Sequence, residues 1–495
     1  MKAVLYVPAA PFVAFRLRRG HLPYPMTSDR KIGGQASQPP ARQIALYAGP
    51  LLAFGAAYLM YANGFSNDVA VTLGVTVICV VWWVFEPIPI PATSFLPLGL
   101  FPLLGVLTPV QVAQSYGHSL ILLLLGGFIL ATALEKSGAH RRIALTMVRA
   151  FGGNSSRSLV FGFMAAAAVL SMWISNTATS LMLLPVALAV LEKTEDPKLA
   201  TPLLLGIAYA ASLGGIGTPI GTPPNIVFMG VYEATTGEAI PFLTWMTWAV
   251  PIVLVFLPVM GFYLTRGLTY RGRVELPVVG HWEQAEVRVL LVFALTAFFW
   301  ITRQQPFGGW TALFELPRTN DAMVALLAVV VMFLVPDGRG GKLLDWETAE
   351  RIPWGMLVLF GAGISIATAF TASGLSETIG AALSGIAHLH LLLLLLIICL
   401  AVTFLTETTS NTATTTLLMP ILAAGALGAG IDPKLVMIPA AMSASCAFML
   451  PVATAPNVIM FSTGKFSIET MAREGFALNL LGAGIISFGC YLLLA

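Results

Sequence analysis

Two apolar segments, 158–191 and 391–425, constrain the fold of this chain more than any other feature of its sequence. Each is far longer than the roughly 20 apolar residues that one membrane-crossing helix needs. Charged residues make up only 10% of the chain, against about a quarter of a soluble domain. The sequence therefore predicts an all-α polytopic membrane protein, in which each long segment is either one kinked helix or a re-entrant helical hairpin.

The two long segments carry matching polar residues near their middle, and further matches lie on either side. Pairs of similar short segments recur at offsets of 232 to 236 residues: Gly127–Gly138 with Gly363–Gly374, Ser175–Thr179 with Ser410–Thr414, and Gly221–Asn225 with Ala453–Asn457. Three matched pairs at nearly constant spacing predict an internal repeat, with one long segment in each half.

The distribution of basic residues distinguishes a kinked helix from a hairpin. If both long segments return to the face that they enter from and the N-terminus is cytoplasmic, all 26 Lys and Arg residues are cytoplasmic except Arg303, Arg318 and Lys434. A single crossing at 158–191 would place the basic loop Arg266–Arg288 outside, which the positive-inside rule disfavours. The charges thus predict two hairpins that enter from opposite faces, with the N-terminus inside and the C-terminus outside.

Oppositely oriented hairpins make the two repeats inverted, and inverted repeats with interrupted helices are typical of secondary transporters. About eleven transmembrane helices accompany the hairpins in this prediction, from apolar segments at about 44–62, 68–85, 92–113, 119–135, 200–230, 242–264, 287–302, 321–335, 354–372, 435–462 and 475–494. Met1 and Met26 are both candidate translation starts within a basic tail. The predicted organisation is a disordered cytoplasmic tail over 1–43, a first repeat over 44–264, a cytoplasmic linker over 265–286 and a second repeat over 287–495.

Each predicted hairpin tip offers polar groups to a ligand near the membrane midplane. Backbone groups at a tip are free, and Ser, Asn and Thr add hydroxyls and amides. The N-terminus of the following half-helix favours an anion, whereas carbonyl and hydroxyl oxygens suit a hard monovalent cation. Prolines shortly after Thr222 and Thr454 interrupt two further helices, which frees carbonyls such as that of Gly221. A proline kink or a polar helix contact explains one such motif, but two inverted pairs predict one binding site.

On these residues the chain resembles the divalent anion/sodium symporter family. The resemblance rests on the two Ser-Asn-Thr motifs, on Thr222–Asn225 and Thr454–Asn457, and on Glu86–Pro91, and it covers residues 44–494. It implies a homodimer in a bacterial-type inner membrane, in which a transport domain slides against a scaffold as an elevator. Scaffold helices would then lie in 44–150 and 287–390, and hairpins and transport helices in 158–264 and 391–495.

The resemblance also implies a role for individual residues. The first sodium ion would be held by Ser171, Ser175, Asn176 and the Gly221 carbonyl. The second would be held by Thr406, Asn411 and the carbonyls of Thr409 and Ala453. The substrate would meet Asn176, Thr177, Thr222, Ser410, Asn411, Thr412, Thr454 and Ala455. No organic cofactor is implied, and sodium is the coupling ion.

The implied activity is import of a small dianionic carboxylate, such as succinate, malate or fumarate, coupled to sodium. Ala455 departs from the Pro-Pro-Asn often found there in the family, and it abuts the expected substrate position. The preferred anion therefore stays open between C4-dicarboxylates, citrate, tartrate and sulfate. A sodium-independent dicarboxylate exchanger is the remaining alternative within this fold.

Glu407 is an acidic residue inside an apolar segment, next to the second Ser-Asn-Thr motif. Ionisable residues in membrane segments are rare and are functional candidates by default. The resembled family carries an acid there as well. Two roles stay open: a structural hydrogen-bonding role at the hairpin, or direct coupling to a proton or to sodium.

Other classes of protein fit the sequence poorly. A serine protease would need a histidine base near Ser175 or Ser410, and none is expected there. Gly338–Lys342 is followed by leucine and lacks the phosphate-loop pattern of an ATP-driven pump. The four cysteines show no metal-ligand spacing, and nothing in the composition indicates a nucleic-acid partner. We therefore expect a transporter rather than an enzyme, with a passive channel as the remaining alternative.

Overall fold

The computed structural model describes residues 40–151, 155–194, 196–270, 280–304, 308–383 and 390–495. Most of the predicted tail, including Met1 and Met26, lies outside the described residues, as do residues 271–279 of the predicted linker. Apart from an isolated bridge between Pro336 and Lys342, the regular structure of the described ranges is helical. The unit Ala41–Ala495 contains the helix contacts and the candidate site described below.

Helices follow one another along the whole described chain. The first twelve are α1 (Pro40–Ala62), α2 (Asn67–Phe85), α3 (Ile90–Thr93), α4 (Leu96–Leu103), α5 (Pro109–Tyr116), α6 (Ser119–Ser137), α7 (Ala139–Ala150), α8 (Ser156–Ser171), α9 (Asn176–Lys193), α10 (Ala200–Gly215), α11 (Pro223–Thr236) and α12 (Phe242–Leu264). The others are α13 (Gln284–Ile301), α14 (Gly309–Leu313), α15 (Asp321–Leu334), α16 (Trp346–Ala349), α17 (Trp354–Ser373), α18 (Leu375–Leu383), α19 (Leu391–Thr406), α20 (Asn411–Gly428), α21 (Pro433–Ala444), α22 (Ala455–Phe461) and α23 (Ile468–Leu494).

Seven helical stretches in the described ranges are long and apolar enough to cross a membrane. They are Ala41–Ala62, Asn67–Phe85, Pro109–Ser137, Phe242–Leu264, Gln284–Ile301, Trp354–Ser373 and Ile468–Leu494. Shorter apolar stretches include Ser156–Ser171, Ala200–Gly215 and Leu391–Thr406. The prediction of an all-α polytopic membrane protein is confirmed.

Four of the predicted apolar segments are each divided into two helices at a polar sequence. Segment 158–191 becomes α8 and α9, and 391–425 becomes α19 and α20. The Pro-Asn segments divide 200–230 into α10 and α11, and 435–462 into α21 and α22. Proline is tolerated in the first helical turn, where its missing N–H has no partner to lose, so Pro223 can begin α11 and Pro456 can be the second residue of α22.

The two halves of the chain pack against each other reciprocally. By the repeat offset, α9, α10 and α11 correspond to α20, α21 and α22. Helix α11 contacts α20 and α21 of the second half, and α22 contacts α9 and α10 of the first half. Within the first half, α8 and α10 approach closely at Gly214. A Cβ at this position would lie 2.2 Å from the Ala168 carbonyl oxygen, so only glycine permits the approach. Such small-residue contacts let membrane helices approach backbone to backbone.

Candidate functional site

Helices α9 and α20 begin at the asparagine of each Ser-Asn-Thr motif. Ser175 and Ser410 have extended backbones and cap the two helices, and the Ser175 hydroxyl accepts the N–H of Ala178 at 3.1 Å. Ser, Thr, Asn and Asp are preferred at this position because their backbone and side chain complete the first turn. The free N–H groups of both first turns therefore start at the motifs.

A cluster of oxygen atoms lies behind the first motif. The Ser171 hydroxyl donates a hydrogen bond to Asn176 Oδ1, five residues further along the chain. A Cβ added at Gly215 would lie 2.9 Å from Asn176 Oδ1 and 3.1 Å from the Gly221 carbonyl oxygen. A Cβ at Gly221 would lie 3.0 Å from the Ser171 carbonyl oxygen. Glycine at both positions leaves a small cradle among these oxygens.

The second motif repeats this arrangement with a threonine in place of the serine. Thr406 Oγ1 donates to Asn411 Oδ1 at 2.6 Å, again across five residues, and lies 3.0 Å from the Ala444 carbonyl oxygen. The hydroxyls of Thr409 and Thr414 lie 2.5 Å apart. Ser171 and Thr406 are both fully buried. The internal repeat thus extends to individual hydrogen bonds.

Two buried asparagines that the predicted site omits build the loops between the divided helices. Asn225 Nδ2 donates to the Gly215 and Thr218 carbonyls at 3.0 and 2.7 Å. Asn457 Nδ2 donates to the Ala447 and Leu450 carbonyls, both at 3.0 Å. Their position at the end of two matched segments was a signal for this role. Each loop consequently keeps a fixed set of carbonyl oxygens in place of helical hydrogen bonds.

One cavity of about 810 Å³ joins both motifs and both loops. All eight predicted substrate residues line it: Asn176, Thr177, Thr222, Ser410, Asn411, Thr412, Thr454 and Ala455. Of the predicted sodium residues, Ser175, Asn176, Gly221, Thr409, Asn411 and Ala453 also line it. Ser171 and Thr406 do not line it.

Three charged residues of the described chain line the cavity beside the polar residues of the motifs. Glu86, Glu135 and Arg351 line it, together with apolar residues of α6 and of the start of α17. Lys136, the neighbour of Glu135, is paired with Asp345 at 2.5 Å, and its hydrogen bond lowers the pKa of Asp345 to about 2. No Lys or Arg of the described chain lines the cavity except Arg351. Hydroxyls, amides and backbone groups therefore make up the polar surface at the motifs.

An all-helical membrane protein with two matched pairs of divided helices around one polar cavity has the architecture of a membrane transporter. Residues 80–435 match the model of a family described as citrate transporters. The sodium-dependent dicarboxylate transporter SdcS of Staphylococcus saprophyticus is 39% identical over 476 residues, which cover 91% of each chain. SdcS of Staphylococcus aureus is 38% identical and covers 90% of each chain. The chain belongs to the divalent anion/sodium symporter family and is a transporter, not an enzyme.

Two solved transporter structures share the fold at low sequence identity. The YdaH transporter of Alcanivorax borkumensis matches with a TM-score of 0.52 and 16% identity, over 78% of this chain and 86% of that one. MtrF of Neisseria gonorrhoeae, described among antimetabolite efflux pumps, matches with a TM-score of 0.53 and 15% identity, over 79% and 84%. These similarities concern the fold alone.

Proposed function

We propose that this protein imports a small dicarboxylate, of the C4 type of succinate, malate or fumarate, together with sodium across a bacterial plasma membrane. The observation that carries the proposal is the convergence of both Ser-Asn-Thr motifs on one cavity, in a chain 39% identical to a sodium-dependent dicarboxylate transporter. A C4 dianion has a carboxylate at each end, and the cavity has a helix N-terminus at each motif. Helix N-termini favour negative charge.

Sodium fits the two oxygen clusters by the chemistry of their donors. Hydroxyl, amide and carbonyl oxygens are ligands that a hard cation accepts, and the hydrogen bonds described for Ser171 and Thr406 involve no basic side chain. In the proposal, the first ion takes Ser171, Ser175, Asn176 and the Gly221 carbonyl. The second takes Thr406, Asn411 and the Thr409 and Ala453 carbonyls. Two sodium ions beside the cavity would balance the two negative charges of the substrate, because the residues of the motifs are neutral.

Transport itself requires the cavity to open to each side in turn. We propose that α8–α9 and α19–α20 are re-entrant hairpins within inverted repeats and about eleven further membrane helices. Residues 158–264 and 391–495 would form a transport domain that moves as an elevator against a scaffold from 44–150 and 287–390, in each protomer of a homodimer. The reciprocal contacts of α11 and α22 with the opposite repeat support a single moving body that carries both clusters.

Citrate is the second candidate substrate, because the matching family is described by citrate transport. The third carboxylate of citrate would need a further hydrogen-bond donor or cation in addition to the two motifs. Ala455 supplies neither charge nor a hydrogen-bond donor in its side chain, and it lines the cavity. This observation favours the smaller dianion.

Uptake of labelled succinate into proteoliposomes tests the proposal. We expect uptake that saturates, that exceeds equilibrium under an inward sodium gradient, and that malate and fumarate compete away. Uptake without any effect of sodium would instead indicate an exchanger. Competition by citrate or sulfate, but not by malate, would change the substrate class, and uptake that never exceeds equilibrium would indicate a channel.

A further inference from the structure

The carboxylate of Glu407 is buried, with only 3% of the residue exposed. Its Oε1 accepts the backbone N–H groups of Phe448 and Met449 at 2.7 and 2.8 Å, and Asn479 Nδ2 at 2.7 Å. Its Oε2 accepts the N–H of Leu450 at 3.0 Å. Both oxygens thus face only donors, which is the pattern of an ionised carboxylate.

The three backbone donors belong to the loop between α21 and α22. This loop ends at Ala453 and Thr454, which line the cavity. Asn457 donates hydrogen bonds to C=O groups of the same loop. Glu407 accepts hydrogen bonds from N–H groups of that loop, so the two side chains bind complementary backbone groups. Glu407 itself directly follows Thr406, whose hydroxyl meets Asn411. A single side chain therefore joins the two segments that would supply the second sodium site.

In the first repeat, the hydrogen bonds described for the corresponding loop involve no carboxylate. Met172 stands at the position of Glu407, 235 residues earlier. The N–H groups of Ile216 and Gly217 donate to backbone carbonyls three residues before them. The indole of Trp245 binds the Ile216 carbonyl at 2.8 Å, and Trp245 precedes Asn479 by 234 residues, within the offsets of the repeat. The N–H groups of the second loop depend on Glu407 instead.

We propose that Glu407 is a positioning residue for the second sodium site. It acts by fixing the loop of Phe448–Leu450, so that the Ala453 carbonyl faces Thr406 and Asn411, and it touches neither substrate nor a transferred proton. This inference rests on the proposed sodium coupling. It also makes the two sodium sites unequal, because only the second depends on a buried charge.

The change Glu407→Gln tests this role, since it keeps the size of the side chain. The glutamine amide has only one acceptor oxygen, and its NH2 group takes the place of the second one. At least one buried N–H group of the loop would then face another donor and lose its hydrogen bond. We expect the sodium concentration for half-maximal succinate uptake to rise on the order of tenfold. The maximal rate at saturating sodium should stay within about twofold of wild type, because the first cluster and the substrate residues are unchanged.

Glu469→Gln is the matched control, because Glu469 is an exposed carboxylate on α23. Asn479→Ala removes one of the four donors and should raise the half-maximal sodium concentration by about threefold. If Glu407→Gln does not fold, Asn479→Ala decides the question. A sodium dependence unchanged within twofold overturns the role of Glu407, as does a loss confined to the maximal rate. Wild-type uptake that sodium does not stimulate overturns the proposed function and this inference together.

Discussion

At the scale of single residues, glycine decides the shape of the first oxygen cluster. Gly215 ends α10, and the space beside its Cα is bounded by Asn176 Oδ1 and the Gly221 carbonyl oxygen. The nearer oxygen belongs to a side chain that can move, so a methyl group there would displace the Asn176 amide before it disturbed the backbone. The site is therefore sensitive to one methyl group.

We predict that Gly215→Ala lowers the apparent affinity for sodium but has little effect on the free energy of unfolding. The added Cβ would lie 2.9 Å from Asn176 Oδ1, closer than van der Waals contact allows. The sodium concentration for half-maximal uptake should rise about tenfold, which corresponds to about 1.4 kcal/mol. Gly484→Ala is the control, because a Cβ at Gly484 meets nothing within 4 Å. Equal sodium dependence of the two variants would contradict the proposed first site.

The sequence predicted which polar residues line the cavity better than it predicted the hydrogen bonds that arrange them. Ser-Asn-Thr stands out because polar residues are conspicuous in apolar segments, and every predicted substrate residue lines the cavity. Asn225 and Asn457 were not chosen, although they end two matched segments. Their contacts join residues seven and ten positions apart through an irregular loop. No periodicity in the sequence specifies such a path, because it is set by packing.

At the scale of elements, apolar runs predicted where most helices lie, and the polar motifs within four of these runs predicted where they divide. Segments 242–264 and 354–372 are close to α12 and α17. Segment 92–113 contains three short helices instead of one, since prolines and glycines interrupt it. Helix α7 was missed because it is amphipathic and contains Arg142, whose guanidinium binds Glu286 at 2.7 Å. A search for apolar runs cannot detect such a helix.

The buried ion pair of Arg303 and Asp321 connects the end of α13 with the starts of α12 and α15. Asp321 Oδ1 accepts Arg303 Nε at 2.6 Å, and Asp321 Oδ2 accepts the backbone N–H of Phe242 at 3.1 Å. The indole of Trp300 donates to the Asp321 carbonyl at 2.9 Å and stacks on Phe242. Three helices of different parts of the chain thus meet at one carboxylate.

We predict that Asp321→Ala lowers the free energy of unfolding by about 3–5 kcal/mol, because it leaves Arg303 buried without its partner. Replacing both residues by leucine should cost less, since no uncompensated charge remains. Thermal unfolding of the purified protein in detergent measures both changes. Glu347→Ala breaks the exposed pair with Arg351 and should cost less than about 1 kcal/mol. If Asp321→Ala and Glu347→Ala cost the same, the buried pair has no structural role.

At the scale of the whole molecule, the predicted topology and the charged residues that line the cavity together predict the side to which it opens. Arg351 lines the cavity and belongs to the loop that the positive-inside rule places in the cytoplasm. Lys136 follows the cavity-lining Glu135 and forms an ion pair with Asp345. With the proposed topology, we predict that the cavity opens to the cytoplasm in the described conformation. Substrate release inside would follow directly from this orientation.

Labelling of single introduced cysteines tests this orientation. All four native cysteines are buried, so the background reaction with a membrane-impermeant maleimide should be low. We predict that Arg318→Cys reacts in intact cells, whereas Glu347→Cys reacts only in inverted membrane vesicles. Val452→Cys should react from the same side as Glu347→Cys, because Val452 lines the cavity with 78% of its surface exposed.

Sodium and succinate together should slow the labelling of Val452→Cys but leave that of Glu347→Cys unchanged, because only the former lies in the cavity. Sodium alone should have a smaller effect, since the dianion completes the charge balance of the site. Labelling of Glu347→Cys in intact cells would reverse the topology. If Val452→Cys reacts only in intact cells while Glu347→Cys reacts only in inverted vesicles, the predicted topology is kept but the cavity opens outward. The described conformation would then be the outward-facing state of the proposed elevator.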